Sequence, residues 1–160
     1  MTVPLKRADI ILIHRTHPLS VGIQLLTNSP YSHAVLVSNP ETGEIIEAEP
    51  FSGVTYGELK EYQGHGLVLR LESLTDEQSD SIIKFAEDQV GSPYDFGEVL
   101  QLFNRYQRKL PPDADQDKAF ICSTLIAAAY QSIGIQLSDQ IVQSPDDLFK
   151  SPHLSIIGRF

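Results

Sequence analysis

The chain has one cysteine, Cys122. A lone thiol cannot close an internal disulfide, and alone it cannot hold a structural zinc, so packing or reactivity is what remains for it. Basic residues are also in short supply. Lys and Arg number 12 against 21 Asp and Glu, a net charge of -9. That balance argues against a nucleic-acid footprint and against electrostatic docking on anionic lipid. Long apolar runs are missing too, and the N-terminus Met1-Thr2-Val3-Pro4-Leu5-Lys6-Arg7-Ala8-Asp9 has no signal-like apolar core. These absences lead us to expect a soluble, cytoplasmic protein with no transmembrane segment, with export by a non-classical route left open. No internal repeat or low-complexity block stands out.

What is present is a globular composition, 41% hydrophobic over 160 residues, enough for one domain spanning 1–160 with its own core. The acidic residues are dispersed and read mostly as solvated faces.

Asp9-Ile10-Ile11-Leu12-Ile13 reads as a buried strand. Pro18 opens a short helical stretch through Leu25 and Leu26, stopped at Asn28-Ser29-Pro30. Tyr31 to Ser38 and Glu44 to Glu49 are strands joined by the turn Asn39-Pro40-Glu41-Thr42-Gly43, which makes a hairpin. Gly66 to Glu72 is another strand. Thr75 with Gln78 forms a capping box for a helix that runs to Val90 and stops at Gly91. Asp95 with Glu98 starts a further helix to about Arg108, and Pro111 to Asp117 is a polar loop. The next helix carries Cys122, Leu125, Ile126, Ala129, Tyr130 and Ile133 on one buried face and ends at Gly134. Ser144-Pro145-Asp146-Asp147 caps a last short helix, and Leu154 to Ile157 returns as an edge strand. The fold class is α+β: a small, mainly antiparallel sheet packed against helices.

Cys122 therefore lies in the first turn of a core helix, where unpaired backbone N–H groups favour a thiolate. A base for it must come from His14, His17, His33, His65 or His153. His33 is distinguished because it begins the apolar run Ala34-Val35-Leu36-Val37, where a polar side chain needs a partner. His14 and His17 read as loop residues, His65 sits between glycines, and His153 follows Pro152.

The hairpin adds a constraint. Side chains alternate along a strand, and opposed residues of an antiparallel pair share a face. His33 opposite Glu47 leaves a three-residue loop at Asn39 to Glu41; His33 opposite Glu49 leaves one at Pro40 to Thr42. Both registers put a carboxylate beside His33, and strand pairing does not choose between them. Nucleophile, base and orienter are the parts of a cysteine triad. The bland alternative for the glutamates is a solvated strand face.

Four short motifs, in order, are Tyr31-Ser32-His33-Ala34, Glu47-Ala48, Gly91-Ser92-Pro93-Tyr94-Asp95-Phe96 and Phe120-Ile121-Cys122-Ser123-Thr124-Leu125. With Ala8-Asp9-Ile10-Ile11 before them and Ser144-Pro145-Asp146-Asp147-Leu148 after them, they resemble the circularly permuted papain-like amidases. These belong to the NlpC-type thiol hydrolase superfamily, which also holds the lecithin–retinol acyltransferase group. The resemblance runs from about residue 8 to 158, with the histidine strand first and the cysteine helix last.

It implies a permuted papain-like fold, Cys122 as nucleophile, His33 as base and Glu47 as the third residue. Glu49 remains an alternative orienter. Tyr94 falls on a tyrosine close to the family's active site, and Tyr31 and Ser32 flank the base. Ala8 stands where the family usually has glycine. The implied activity is hydrolysis of a peptide or peptidoglycan-like amide through a thioester, with no metal or cofactor required. The competing classes are a lipid acyl hydrolase or acyltransferase, for which Leu19 to Leu26 would supply an apolar patch, and an inactive binding module of the same fold.

Overall fold

The computed structural model describes residues 3–14, 29–95, 121–140 and 143–160. The helical stretch expected from Pro18, His17, the Leu19 to Leu26 patch, the helix after Asp95 and the polar loop at 111–117 lie outside the described residues.

Among the described residues, six strands form one sheet: β1 (Ile10–Ile13), β2 (His33–Asn39), β3 (Glu44–Glu49), β4 (Gly53–Glu58), β5 (Gly66–Arg70) and β6 (Ser155–Arg159). Their spatial order is β4-β3-β2-β1-β5-β6. Every neighbouring pair is antiparallel. Three helices are described: α1 (Asp76–Asp88), α2 (Cys122–Gln131) and α3 (Pro145–Phe149), with a 3-10 turn at Leu59–Tyr62.

All four residues of β1 are buried, because both faces of the sheet are covered. One face carries Ile10, Leu12, Ala34, Leu36, Ile46 and Ala48 against the apolar stripes of α1 and α2. The other carries Ile11, Ile13, Val35, Val37, Ile45 and Val68 beneath Leu59 and Tyr62 of the 3-10 turn. Residues three apart eclipse in a 3-10 turn, which aims Leu59 and Tyr62 at the sheet together.

The helix boundaries follow local chemistry. Thr75 Oγ1 accepts from the Gln78 N–H at 3.2 Å, and the Gln78 side chain accepts from the Thr75 N–H at 3.0 Å. This is the expected capping box. Ser144 and Asp147 make the same reciprocal cap for α3, with Pro145 in its first turn.

Two features were not legible as elements. β4 was not expected, because Gly53 and Gly57 interrupt its pattern and its outward residues are exposed. The β2–β3 loop is also longer than either three-residue alternative. The strands stop at Asn39 and resume at Glu44, with an irregularity between Val37 and Asn39. Gly43, at φ 75°, closes the turn by donating to the Asn39 carbonyl.

Asp9, 1% exposed, is held by both Nε and Nη2 of Arg70 at 2.7 and 2.6 Å and by the Lys6 N–H. The bond to Asp9 is the main reason the Arg70 pKa lies above its ordinary value. Ala8 takes φ 68°, a left-handed conformation that explains why glycine suits the position. Among the described residues, no helix is long and apolar enough to cross a membrane.

Candidate functional site

His33 opens β2 and pairs with Ile13 of β1. Alternation turns its ring to the face occupied by Tyr62, and the two ring centroids are 5.9 Å apart. There His33 Nε2 meets Glu47 Oε2 at 2.6 Å, and the pair is buried. Glu49 Oε1 lies 3.2 Å from the same nitrogen, on a side chain 23% exposed.

The hairpin pairs Leu36 with Ile46; continued, that register sets Glu49 opposite His33. The shorter contact nevertheless goes to Glu47, the diagonal neighbour, which long side chains reach on a twisted pair. Glu47 is 5% exposed, so the expectation of a solvated strand face does not describe it. β4 explains the burial, because it lies outside β3 and pairs Thr55 with Glu47.

Two further residues shape this carboxylate, and neither was singled out from the sequence. Tyr62 OH donates to Glu47 Oε2 at 2.7 Å and lies 3.5 Å from Glu49 Oε1. Gly57, in β4, makes room for it: a Cβ at that position would run into Glu47 Oε1. The only sequence signal for Tyr62 is its three-residue spacing from Leu59. Gly57 had none, because the side chain it accommodates belongs to another strand.

Cys122 is the first residue of α2, is 6% exposed, and is a free thiol. Ile121, the N-cap, has no side-chain acceptor. Half a capping box remains, with Thr124 Oγ1 accepting from the Ile121 N–H at 3.1 Å. The start of the helix thus presents main-chain donors without a capping side chain from Ile121.

Two anchors fix where this helix start lies. At the far end, Tyr130 OH donates to the Ala8 carbonyl at 2.8 Å, and the Ala8 N–H donates to the Val37 carbonyl at 2.9 Å. The last turn of α2 therefore sits at the Val37 end of β2. Burial, and after it the charge of Asp9, pushes the Tyr130 phenol above its ordinary range, so it stays a neutral donor. Stepping back along α2 from Tyr130 to Cys122 covers about 12 Å. Stepping back along β2 from Val37 to His33 covers about 13 Å.

At the near end, Ser123 Oγ donates to the Gln143 carbonyl, just before α3. Phe149 of α3 lies 5.4 Å, centroid to centroid, from Tyr31, two residues before His33. Both anchors bring Cys122 to the His33 end of the sheet. α2 covers the sheet face opposite the one that carries the His33 ring. Nδ1 is the ring nitrogen nearer the main chain, and Nε2 is the one turned to the carboxylates.

The other expected residues are at the same end. Tyr31 is half-buried against Phe149. Ser32 is buried, with its N–H donating to the Ile13 carbonyl. Tyr94 is half-buried against the helix-side core. The Gly91–Ser92 segment leading to it exchanges main-chain hydrogen bonds with Val54, which is paired with Ala48.

Comparison with known proteins gives the same frame. The model of the permuted papain-like amidase enzymes, YaeF/YiiX, C92 family, matches residues 4–157. The chain belongs to this family. A permuted papain-like amidase is a thiol hydrolase, and the order of strand and helix here, histidine before cysteine, is the permuted one. A crystal structure described as that of the metalloprotein YiiX from Escherichia coli O157:H7 superposes with a TM-score of 0.77. It is 22% identical in sequence and covers 98% of each chain, which establishes the fold. A sequence search of curated proteins finds no match.

Proposed function

We propose that the chain is a cysteine-dependent amide hydrolase in which Cys122 is the nucleophile, His33 the base and Glu47 its orienting carboxylate. The observation that carries the reading is the buried His33–Glu47 contact of 2.6 Å at the end of the sheet where α2 begins. A carboxylate on Nε2 fixes the ring and favours its imidazolium form, which in turn favours a neighbouring thiolate. Glu49 and Tyr62 support the pair from the solvent side and from beneath.

The thiolate attacks the amide carbonyl, and the C–O π electrons move onto oxygen. Main-chain N–H groups at the start of α2 hold that oxyanion. Its collapse breaks the C–N bond, and the His33 imidazolium gives its proton to the leaving amine. Water then attacks the thioester, with His33 taking its proton. Breakdown releases a carboxylic acid and restores Cys122. A peptide or peptidoglycan-like amide is the substrate class this reading favours.

The test is alkylation of Cys122 by iodoacetamide between pH 5 and 9. Wild type is expected to react well below pH 8, and His33→Ala to lose most of that low-pH rate. Superimposable profiles for the two proteins would refute the pairing.

One observation favours a second reading. His33, Glu47 and Glu49 each offer a ligand atom, and these atoms lie within 4.8 Å of one another. An imidazole and two carboxylates are a donor set that suits zinc or manganese, and the structural neighbour YiiX is described as a metalloprotein. A divalent ion bound there would supply Lewis acidity. It would also occupy the imidazole nitrogen that the thiol mechanism turns toward its carboxylates. Cys122→Ser separates the readings: it abolishes amide hydrolysis under the first, whereas chelation by EDTA abolishes it under the second.

A further inference from the structure

Two buried polar atoms have no hydrogen-bond partner among the described residues and belong to no step above: Ser32 Oγ and Gln143 Oε1. A third, Arg7 Nε, faces the Asp80 carboxylate at 2.8 Å. Ser32 and Gln143 are each 6% exposed. Both lie at the thiol end of the molecule. Ser32 precedes His33. Gln143 is held by its carbonyl to Ser123, the residue after Cys122.

An unsatisfied amide oxygen inside a protein is destabilising, because it loses water without gaining a partner. Such groups are rare in native folds, and one on a residue tethered to Ser123, next in sequence to Cys122, suggests that its partner arrives with the reaction. The acyl-transfer route above builds one oxyanion and calls for two donors. The first is at the start of α2.

We propose that the Gln143 side-chain amide is the second oxyanion donor, an assignment that rests on the thiol-hydrolase reading. The terminal amide has nearly the same shape when turned by 180°, which exchanges Oε1 and Nε2. The unsatisfied position then carries N–H groups that lack an acceptor in the resting protein. The tetrahedral oxygen supplies that acceptor. Because it exists only after attack, the bond strengthens in the transition state and not in the free enzyme.

The test compares two electrophiles on the full chain. p-Nitrophenyl acetate acylates the thiol through a tetrahedral oxyanion. Iodoacetamide alkylates it by displacement at a saturated carbon and forms no oxyanion. In Gln143→Met, a near-isosteric variant, Cys122 acylation is expected to fall about 10- to 1000-fold, the range for loss of one oxyanion donor. Alkylation is expected to stay within about twofold, with thermal stability unchanged or raised, since an unsatisfied polar group has gone. Gln143→Glu, which sets a carboxylate against the developing charge, is expected to fall at least as far.

Equal acylation of folded wild type and both variants would overturn the assignment. So would acylation and alkylation falling together, which marks a structural role, or loss of acylation in Ser32→Ala instead. A wild-type thiol whose alkylation ignores His33 removes the hydrolase reading itself, and that outcome is visible before any Gln143 variant is made.

Discussion

Gly57→Ala tests the site through a residue with no chemistry of its own. Gly57 pairs with Ile45 across β3 and β4, and a Cβ there would collide with Glu47 Oε1. Ordinary carbon–oxygen contact requires about 3.5 Å, so the carboxylate must withdraw by roughly 1 Å. The His33–Glu47 contact is already 2.6 Å, so a displacement of that size, whether it compresses or lengthens the contact, forces the carboxylate out of its hydrogen-bond geometry. A hydrogen bond to a charged group contributes about 1.5–3 kcal/mol, which would be a 10- to 150-fold effect if nothing replaced it. Glu49 does partly replace it, at 3.2 Å from the same nitrogen. We therefore expect the iodoacetamide rate of Cys122 at pH 6.5 to drop by about three- to tenfold.

The stability change is expected to be smaller. Overpacking costs about 1–3 kcal/mol, and alanine recovers about 0.5–1 kcal/mol over glycine within a strand. Urea unfolding on the same preparation separates the two effects. Glu47→Gln serves as the reference. An unchanged rate in Gly57→Ala beside a reduced rate in Glu47→Gln would refute the steric argument. An unchanged rate in both would remove Glu47 from the machinery.

Other perturbations give equally definite expectations. Tyr62→Phe keeps the ring against the sheet but removes the 2.7 Å donor to Glu47. Thermal unfolding should show a loss of about 1.5–3 kcal/mol, or roughly 4–8 °C, and a loss under about 0.5 kcal/mol would mean water has taken the hydroxyl's place. Arg70→Met leaves the Asp9 carboxylate buried without its cation, and denaturant titration should register about 3–5 kcal/mol of destabilisation. Replacing both partners, Asp9→Asn with Arg70→Met, should recover part of that loss; no recovery would show that packing of the Arg70 stem is what matters.

Much of the fold was legible because its signals are local. The caps at Thr75 and Ser144, the apolar run of β1 and the Cys122 to Tyr130 stripe of α2 each act within a few residues and appear where they were expected, whereas α1 and α2 end at Asp88 and Gln131, a few residues before the glycines expected to stop them. β4 was missed because its two glycines serve other segments. Gly53 turns at φ 69° against the Ser92 carbonyl, and Gly57 clears space for Glu47. Neither need is visible from β4 itself.

The site divides in the same way. The sequence alone determined that one thiol opens a core helix, that one histidine begins an apolar strand, and that two glutamates share its face, since alternation and helical periodicity are properties of the backbone. Only the tertiary structure decided which glutamate meets the ring most closely, that Tyr62 secures it, and that the residue whose carbonyl holds Ser123, Gln143, keeps a buried side-chain oxygen unsatisfied. Those contacts depend on sheet twist, an irregular hairpin and chain segments far apart in sequence. A shift of one ångström at any of them changes the chemistry while leaving every local pattern intact.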